Sequence, residues 1–276
     1  MSLDKKLSLN EDKITEFYRG ASLESAIIEE CKKSGGEVGW EYLHSPDPAM
    51  AFFMEPAYMS KIKLPKQGFK LHIYCEKNEK TAKKILSVLL PYLIKERVAF
   101  KVTKKLSEMD GTQEGKFITI YPKEARDAWN IAYWVDSILS KHGLVKRANG
   151  GVPCEKLIPD SKSKRVYYRF GGFTSDYINV RGKMIKDDRS KPIPDGVKDF
   201  FEVIYQKIKE PKTVDELLYA LRGTLGKSMF VYGSSKYSGE EIARVIEEYK
   251  ETRDIDKLKK ITKTFGLRKK VYELVH

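Results

Sequence analysis

The chain is poor in the features that would make several function classes easy to assign. It has three cysteines in 276 residues. Cys31, Cys75 and Cys154 lie far apart, with no metal-type spacing. That excludes a disulfide framework and a zinc ribbon or finger, and it fits reduced cysteines in a cytoplasmic protein. Histidines number four. His44, His142 and His276 form no ligand cluster with carboxylates or cysteines, so nothing calls for a metal. No long apolar run exists. The longest, Ile85 to Ile94, is broken by Ser87, Pro91 and Tyr92 and cannot span a bilayer. Met1 to Tyr18 is charged and lacks the apolar segment of a signal peptide. There is no Gly-x-Ser-x-Gly elbow, no Gly-x-x-x-x-Gly-Lys-Ser/Thr loop and no kinase His-Arg-Asp or Asp-Phe-Gly set. Serine-hydrolase chemistry and ATP use are therefore not expected. No paired carboxylates suggest a glycosidase.

What is present is positive charge: 52 Lys and Arg against 39 Asp and Glu, a formal net charge of +13. These cations are dispersed rather than gathered into an arm. An anionic substrate is a better fit than nucleic acid, which is not expected as a partner. The length suits one large domain or two small ones.

The pattern is α+β. Gly68 to Tyr74 alternates Phe69, Leu71 and Ile73 with Lys70, His72 and Tyr74, as a strand with one apolar and one polar face does. Asn78 to Glu96 is a capped amphipathic helix. Val98 to Thr103 and Gly115 to Tyr121 are strands, the first with Lys101 on its polar face. Ala125 to His142 is a second helix, and Val166 to Phe173 a fourth strand ending in Gly171-Gly172. Gly39 to Tyr42 reads as a short strand, and residues 45–67 as irregular. Ser22 to Lys33 is a short helix. Residues 143–165 form a long Gly/Pro/Lys-rich connection, and 179–198 a linker. Beyond residue 198 the chain is helical, over 213–221, 238–249 and 254–265. The expectation is an antiparallel or mixed sheet flanked by helices over residues 1–198, followed by a helical segment, 199–276, of unassigned role.

The strands offer Lys70 and His72, Lys101, Lys116 and Tyr121, and Arg169. Cations around one histidine suit binding a phosphate with proton chemistry beside it.

Four motifs in order carry a resemblance: Leu64-Pro-Lys-Gln-Gly-Phe-Lys-Leu-His-Ile73, Ala99-Phe-Lys-Val102, Gly115-Lys-Phe-Ile-Thr-Ile-Tyr-Pro122 and Tyr168-Arg-Phe-Gly-Gly-Phe173, with residues 182–194 as a further match. They resemble the N-terminal lyase domain of class III and IV lanthipeptide synthetases, which is similar to the bacterial phosphothreonine lyase effectors. The resemblance runs from about Gly39 to about Pro194. It implies β-elimination of phosphate from phosphoserine or phosphothreonine in a precursor peptide, without cofactor or metal, giving dehydroalanine or dehydrobutyrine. It implies Lys101 as the base that removes the Cα proton and His72 as the acid that protonates the leaving phosphate. Lys70, Lys116 and Arg169 then bind the phosphate, and Tyr121 lies near the substrate. An arginine common in the family before the Gly-Lys-Phe motif is missing from 107–114, leaving Lys104, Arg165 or Arg181 to substitute. The synthetases continue into kinase and cyclase domains that this sequence does not show. A separate kinase, and possibly a cyclase, are therefore the expected partners. Two other readings are an effector-type lyase acting on a phosphorylated signalling protein and a non-catalytic phosphopeptide-binding module.

Overall fold

A computed structural model describes residues 22–33, 50–53, 65–96, 98–146, 150–173, 175–209, 239–254 and 257. The element order is α1 (Leu23–Lys33), β1 (Met50–Phe53), β2 (Gln67–Tyr74), α2 (Glu79–Lys95), β3 (Phe100–Thr103), β4 (Lys116–Ile120), α3 (Ala125–Lys141), β5 (Lys156–Leu157), β6 (Val166–Gly172), β7 (Tyr177–Val180), β8 (Lys183–Lys186), α4 (Phe200–Lys209) and α5 (Gly239–Thr252). Six strands form one sheet in the order β1-β3-β4-β2-β6-β5, and its pairings are antiparallel. The fold is thus α+β, with β2, the strand of Lys70 and His72, paired on both sides by β4 and β6.

The apolar alternation sets the core. Phe69, Leu71 and Ile73 of β2, Phe100 and Val102 of β3, Ile118 and Ile120 of β4, and Val166 and Tyr168 of β6 are all buried in one cluster. Helices cover that face. Helix α2 contributes Ile85, Leu86, Leu89, Leu90 and Leu93; α3 contributes Trp129, Ala132, Val135 and Leu139. Their i, i+3, i+4 spacing puts these side chains on one stripe. Asn78 caps α2, accepting from the Thr81 N–H at 3.0 Å. Phe201 of α4 enters the same core. Its ring stacks on Tyr168 with centroids 4.1 Å apart and also meets Phe69 and Trp129.

Three sequence expectations change. Residues 50–53 are a sheet strand rather than irregular structure. The connection 143–165 contains β5 and is pinned down: buried Asp136 of α3 accepts from Ser161 Oγ, the Lys162 N–H, and the N–H and Oγ of Ser163. Residues 179–198 are not a linker. Much of that span belongs to a β7–β8 hairpin, closed by Arg181 and Gly182 at positive φ, a two-residue turn that matches strand twist. Each strand of the hairpin is too short, and too exposed apart from Ile178, Val180 and Ile185, to display a period. The expected strand at 39–42 and the helices at 213–221 and 254–265 lie outside or almost wholly outside the described residues.

An irregularity in β4 positions the site. Ile73 faces Ile118, but Tyr74 faces Lys116, so Phe117 is the extra residue of a bulge. Phe117 and Ile118 are both in the core, and Lys116 is turned to the opposite face. Simple alternation would have put Lys116 on the core face with Ile118 and Ile120. Gly115 starts the irregularity at φ +72°, and a Cβ there would lie 2.5 Å from Tyr74 Cε2. Gly115→Ala should therefore cost about 1–3 kcal/mol from the backbone strain plus the displaced ring. Gly111, also at positive φ but with open space around it, provides the comparison. Gly111→Ala should shift the urea midpoint less; equal shifts would show that Tyr74 yields at no cost.

Candidate functional site

On the face away from the helices, register lines up the polar side chains. Lys101 of β3 faces Thr119 of β4, Thr119 faces His72 of β2, and His72 faces Tyr167 of β6. One step along β2, Lys70 faces Arg169. Adjacent strands lie about 4.8 Å apart, so Lys101 and His72 stand roughly 10 Å apart at the backbone, one strand between them. Two inward-leaning side chains can approach one small group from either side across that gap.

The expected polar face is not a wet one. His72, Thr119 and Arg169 are all buried. The cover comes from the connection after α3 and from the residue that follows β8. Glu155, from the connection after α3, reaches over β2 with its side chain wholly buried. Its Oε2 lies 2.6 Å from Nδ1 of His72, and its Oε1 lies 3.0 Å from Nζ of Lys116. Asp187, just after β8, sits 2.7 Å from Nη2 of Arg169 and also accepts the Gly172 N–H at 3.0 Å. Gly171 leaves room for this, since a Cβ there would lie 2.5 Å from the Asp187 carboxylate. Lys146 is buried beside Tyr167: its Nζ donates to the Tyr167 hydroxyl at 3.0 Å and to the Gly150 carbonyl, and it lies over the Tyr74 ring at 4.4 Å.

The electrostatics follow from burial among like charges. Lys70 is lowered to about 8, first by burial and then by Arg169, with Lys101 and Arg189 adding to the effect and Asp187 opposing it. Burial also lowers His72; Glu155 opposes this, while Lys116 and Lys70 reinforce it. Burial pushes the Glu155 carboxyl up, but His72 and Lys116 outweigh that and hold it below the usual carboxylate range. The buried Tyr121 hydroxyl is raised by desolvation, and its ring packs edge-on against Phe173 with centroids 5.4 Å apart.

Lys70, His72, Lys101, Lys116 and Arg169 thus belong to one cluster. Two of its cations already have internal counter-ions, Lys116 in Glu155 and Arg169 in Asp187. Arg169 keeps a buried Nε that has no hydrogen-bond partner among the described residues. Of the suggested substitutes for the missing arginine, Arg165 is buried and engaged within the protein. Its guanidinium bonds Glu76 and the carbonyls of Tyr74 and Leu144, which ties the end of β2 to the connection before β6. Glu155 and Asp187 were missed. Glu155 has no periodic context, and only the fold brings it across 83 positions to His72. Asp187 did have a signal, because it lies within the motif at 182–194. Among the described residues no group of histidine, cysteine and carboxylate side chains could hold a metal ion, and no helix is long and apolar enough to cross a membrane.

A family model, the RamC N-terminal domain, matches residues 52–223. That span covers the whole sheet apart from the first two residues of β1, together with the buried polar face and both carboxylates. No curated protein matches the chain. With well over half its length matched, the chain belongs to the RamC N-terminal domain family, a lanthipeptide-synthetase-related group associated with lanthipeptide-type biosynthesis.

Proposed function

We propose that this protein is a phosphoserine/phosphothreonine lyase acting on a phosphorylated precursor peptide. The observation that carries this reading is the pairing of a buried His72, held at Nδ1 by Glu155, with a row of cations on the same sheet face. Binding a phosphate needs only the cations. A buried imidazole with a carboxylate behind it is equipment for moving a proton.

The peptide's phosphate lies among Lys70, Arg169 and Lys116. Arg169, steadied through Nη2 by Asp187, offers its unpartnered Nε. Neutral Lys101 takes the Cα proton. The C–H electron pair becomes the Cα=Cβ bond, the Cβ–O bond breaks, and the phosphate departs with that pair. His72 gives it a proton. Charge builds on the peptide carbonyl as the Cα proton leaves, and in this reading the Tyr121 hydroxyl donates to it. The proton that Lys101 gains and the proton that His72 gives up balance, and both groups reset through solvent. No water is added, so the products are the dehydro residue and inorganic phosphate. A protein-serine/threonine kinase activity must supply the substrate.

Incubation with a phosphothreonine peptide, read by mass spectrometry, tests this. Loss of the elements of phosphoric acid is expected. Recovery of threonine with free phosphate means a phosphatase, and tight binding with no mass change on any phosphopeptide leaves a binding module.

A further inference from the structure

Glu155 touches no substrate atom in the steps above, yet its side chain is more completely buried than those of His72, Lys116, Arg169 and Asp187. We infer that Glu155 is a positioning residue for the acid: it accepts the Nδ1–H of His72 and so directs Nε2 towards the phosphate. The inference deepens the lyase reading and rests on it.

The geometry favours this role over a merely structural ion pair. Taking a carboxylate out of water costs several kcal/mol, which is recovered only with well-made partners. Glu155 has the His72 ring hydrogen-bonded to Oε2 at 2.6 Å, while Oε1, with no hydrogen-bond partner among the described residues, has the Lys116 ammonium as an ion-pair neighbour at 3.0 Å. The connection that carries it does not need it as an anchor. Asp136 fixes 161–163, Arg165 fixes the end before β6, and Tyr133 donates to the Pro159 carbonyl at 2.8 Å. What Glu155 does hydrogen-bond is the ring. A neutral imidazole has two tautomers, and a carboxylate at Nδ1 selects the one with hydrogen there. In that tautomer Nε2 is left to exchange a proton with the substrate. The neighbours of the ring, Lys70 and Lys116, both disfavour an imidazolium. Glu155 supplies the negative charge that lets His72 hold a proton between them. Lys116, in turn, occupies the second carboxylate oxygen and stops the group from swinging away. It acts on the acid as well as on the phosphate.

The test is a nitrogen-15 NMR titration of the full chain, with the His72 signals identified by their loss in His72→Ala. The wild-type ring should be the Nδ1–H tautomer when neutral. In Glu155→Gln, which keeps the volume, the His72 pKa should fall, and kcat should drop at least about tenfold with KM changed less than about twofold. Glu155→Asp should recover part of kcat. In Glu155→Leu the Nδ1–H preference should disappear. An unchanged or raised His72 pKa in Glu155→Gln overturns the inference even if the leucine variant does not fold. So does a rise in KM at constant kcat, which would place Glu155 in binding through Lys116. The titration needs no turnover. A normal Glu155 effect on the ring in a protein that leaves phosphopeptides intact would therefore sink the lyase reading and not the positioning one.

Discussion

Lys101→Ala is expected to lower kcat for phosphate loss by about 10²- to 10⁴-fold, the range set by removing a general base, while phosphopeptide affinity changes little. The proposal places Lys101 at the Cα proton because it lies on β3, separated from His72 by one strand and aligned with it through Thr119. Acid and base then approach the substrate from opposite sides. Single-turnover rates with a saturating phosphothreonine peptide measure the effect, and exchange of the Cα hydrogen with deuterated solvent reports the step directly. The sharpest rival is Lys70. It is half-buried on the same face, and at about 8 it has a far larger neutral fraction near neutral pH than an ordinary lysine, as a working base needs. Lys70→Ala should raise KM through lost phosphate contact and spare kcat. If Lys101→Ala keeps its turnover and Lys70→Ala loses it, the base is on β2, two residues from the acid.

His72→Ala is expected to cost about 10²- to 10⁴-fold in kcat/KM at low pH, and the penalty should shrink as pH rises. The sign follows from the ring's surroundings. Burial lowers the His72 pKa, so the acidic form dominates only below the ordinary histidine range. Below that pKa the wild type has its acid and the variant lacks it, and the difference is largest. Above it the wild type holds less imidazolium with each rise in pH, so there is less to lose. The base works in the opposite sense, gaining neutral amine as pH rises, and this rise remains in the variant. Where both ionisations overlap, the wild-type profile should flatten and the His72→Ala profile should climb. A ratio of the two rates that is constant from acid to alkaline pH would remove His72 from proton transfer. A substrate with a better leaving group than phosphate should narrow the gap for the same reason.

The sequence disclosed the parts of this molecule that obey a period. The Phe69-Leu71-Ile73 alternation and the leucine stripe of α2 identify the core because each apolar residue there repeats at a spacing that only one local structure satisfies. Lys70, His72, Lys101, Lys116 and Arg169 were legible by motif order, and the sheet gathers them onto one face. The sequence did not disclose what covers that face. Glu155 follows a residue at positive φ, in a connection whose path is dictated by Asp136 and Arg165 rather than by its own propensities. Its contact with His72 is tertiary, and no local pattern encodes it. The β7–β8 hairpin was missed for a related reason. Its stability comes from Gln67, whose side-chain amide pairs with the backbone of Asn179 like one more strand residue, and from Asp187 bonding to β6. Four-residue strands carry too few inward positions to announce themselves.

The bulge in β4 makes residue count a chemical variable. Between Gly115 and Thr119 there are three residues, and the register accommodates only two of them in simple alternation with β2. Without Phe117, simple alternation alone would put Lys116 on the face of Glu155; with Phe117 but no bulge, Phe117 would stand there and Lys116 would fall on the core side. Related chains can then differ in this site with no substitution at any named position, through the length of the segment alone. An alignment that closes a one-residue gap here to maximise identity would pair a phenylalanine of the core with a lysine of the site.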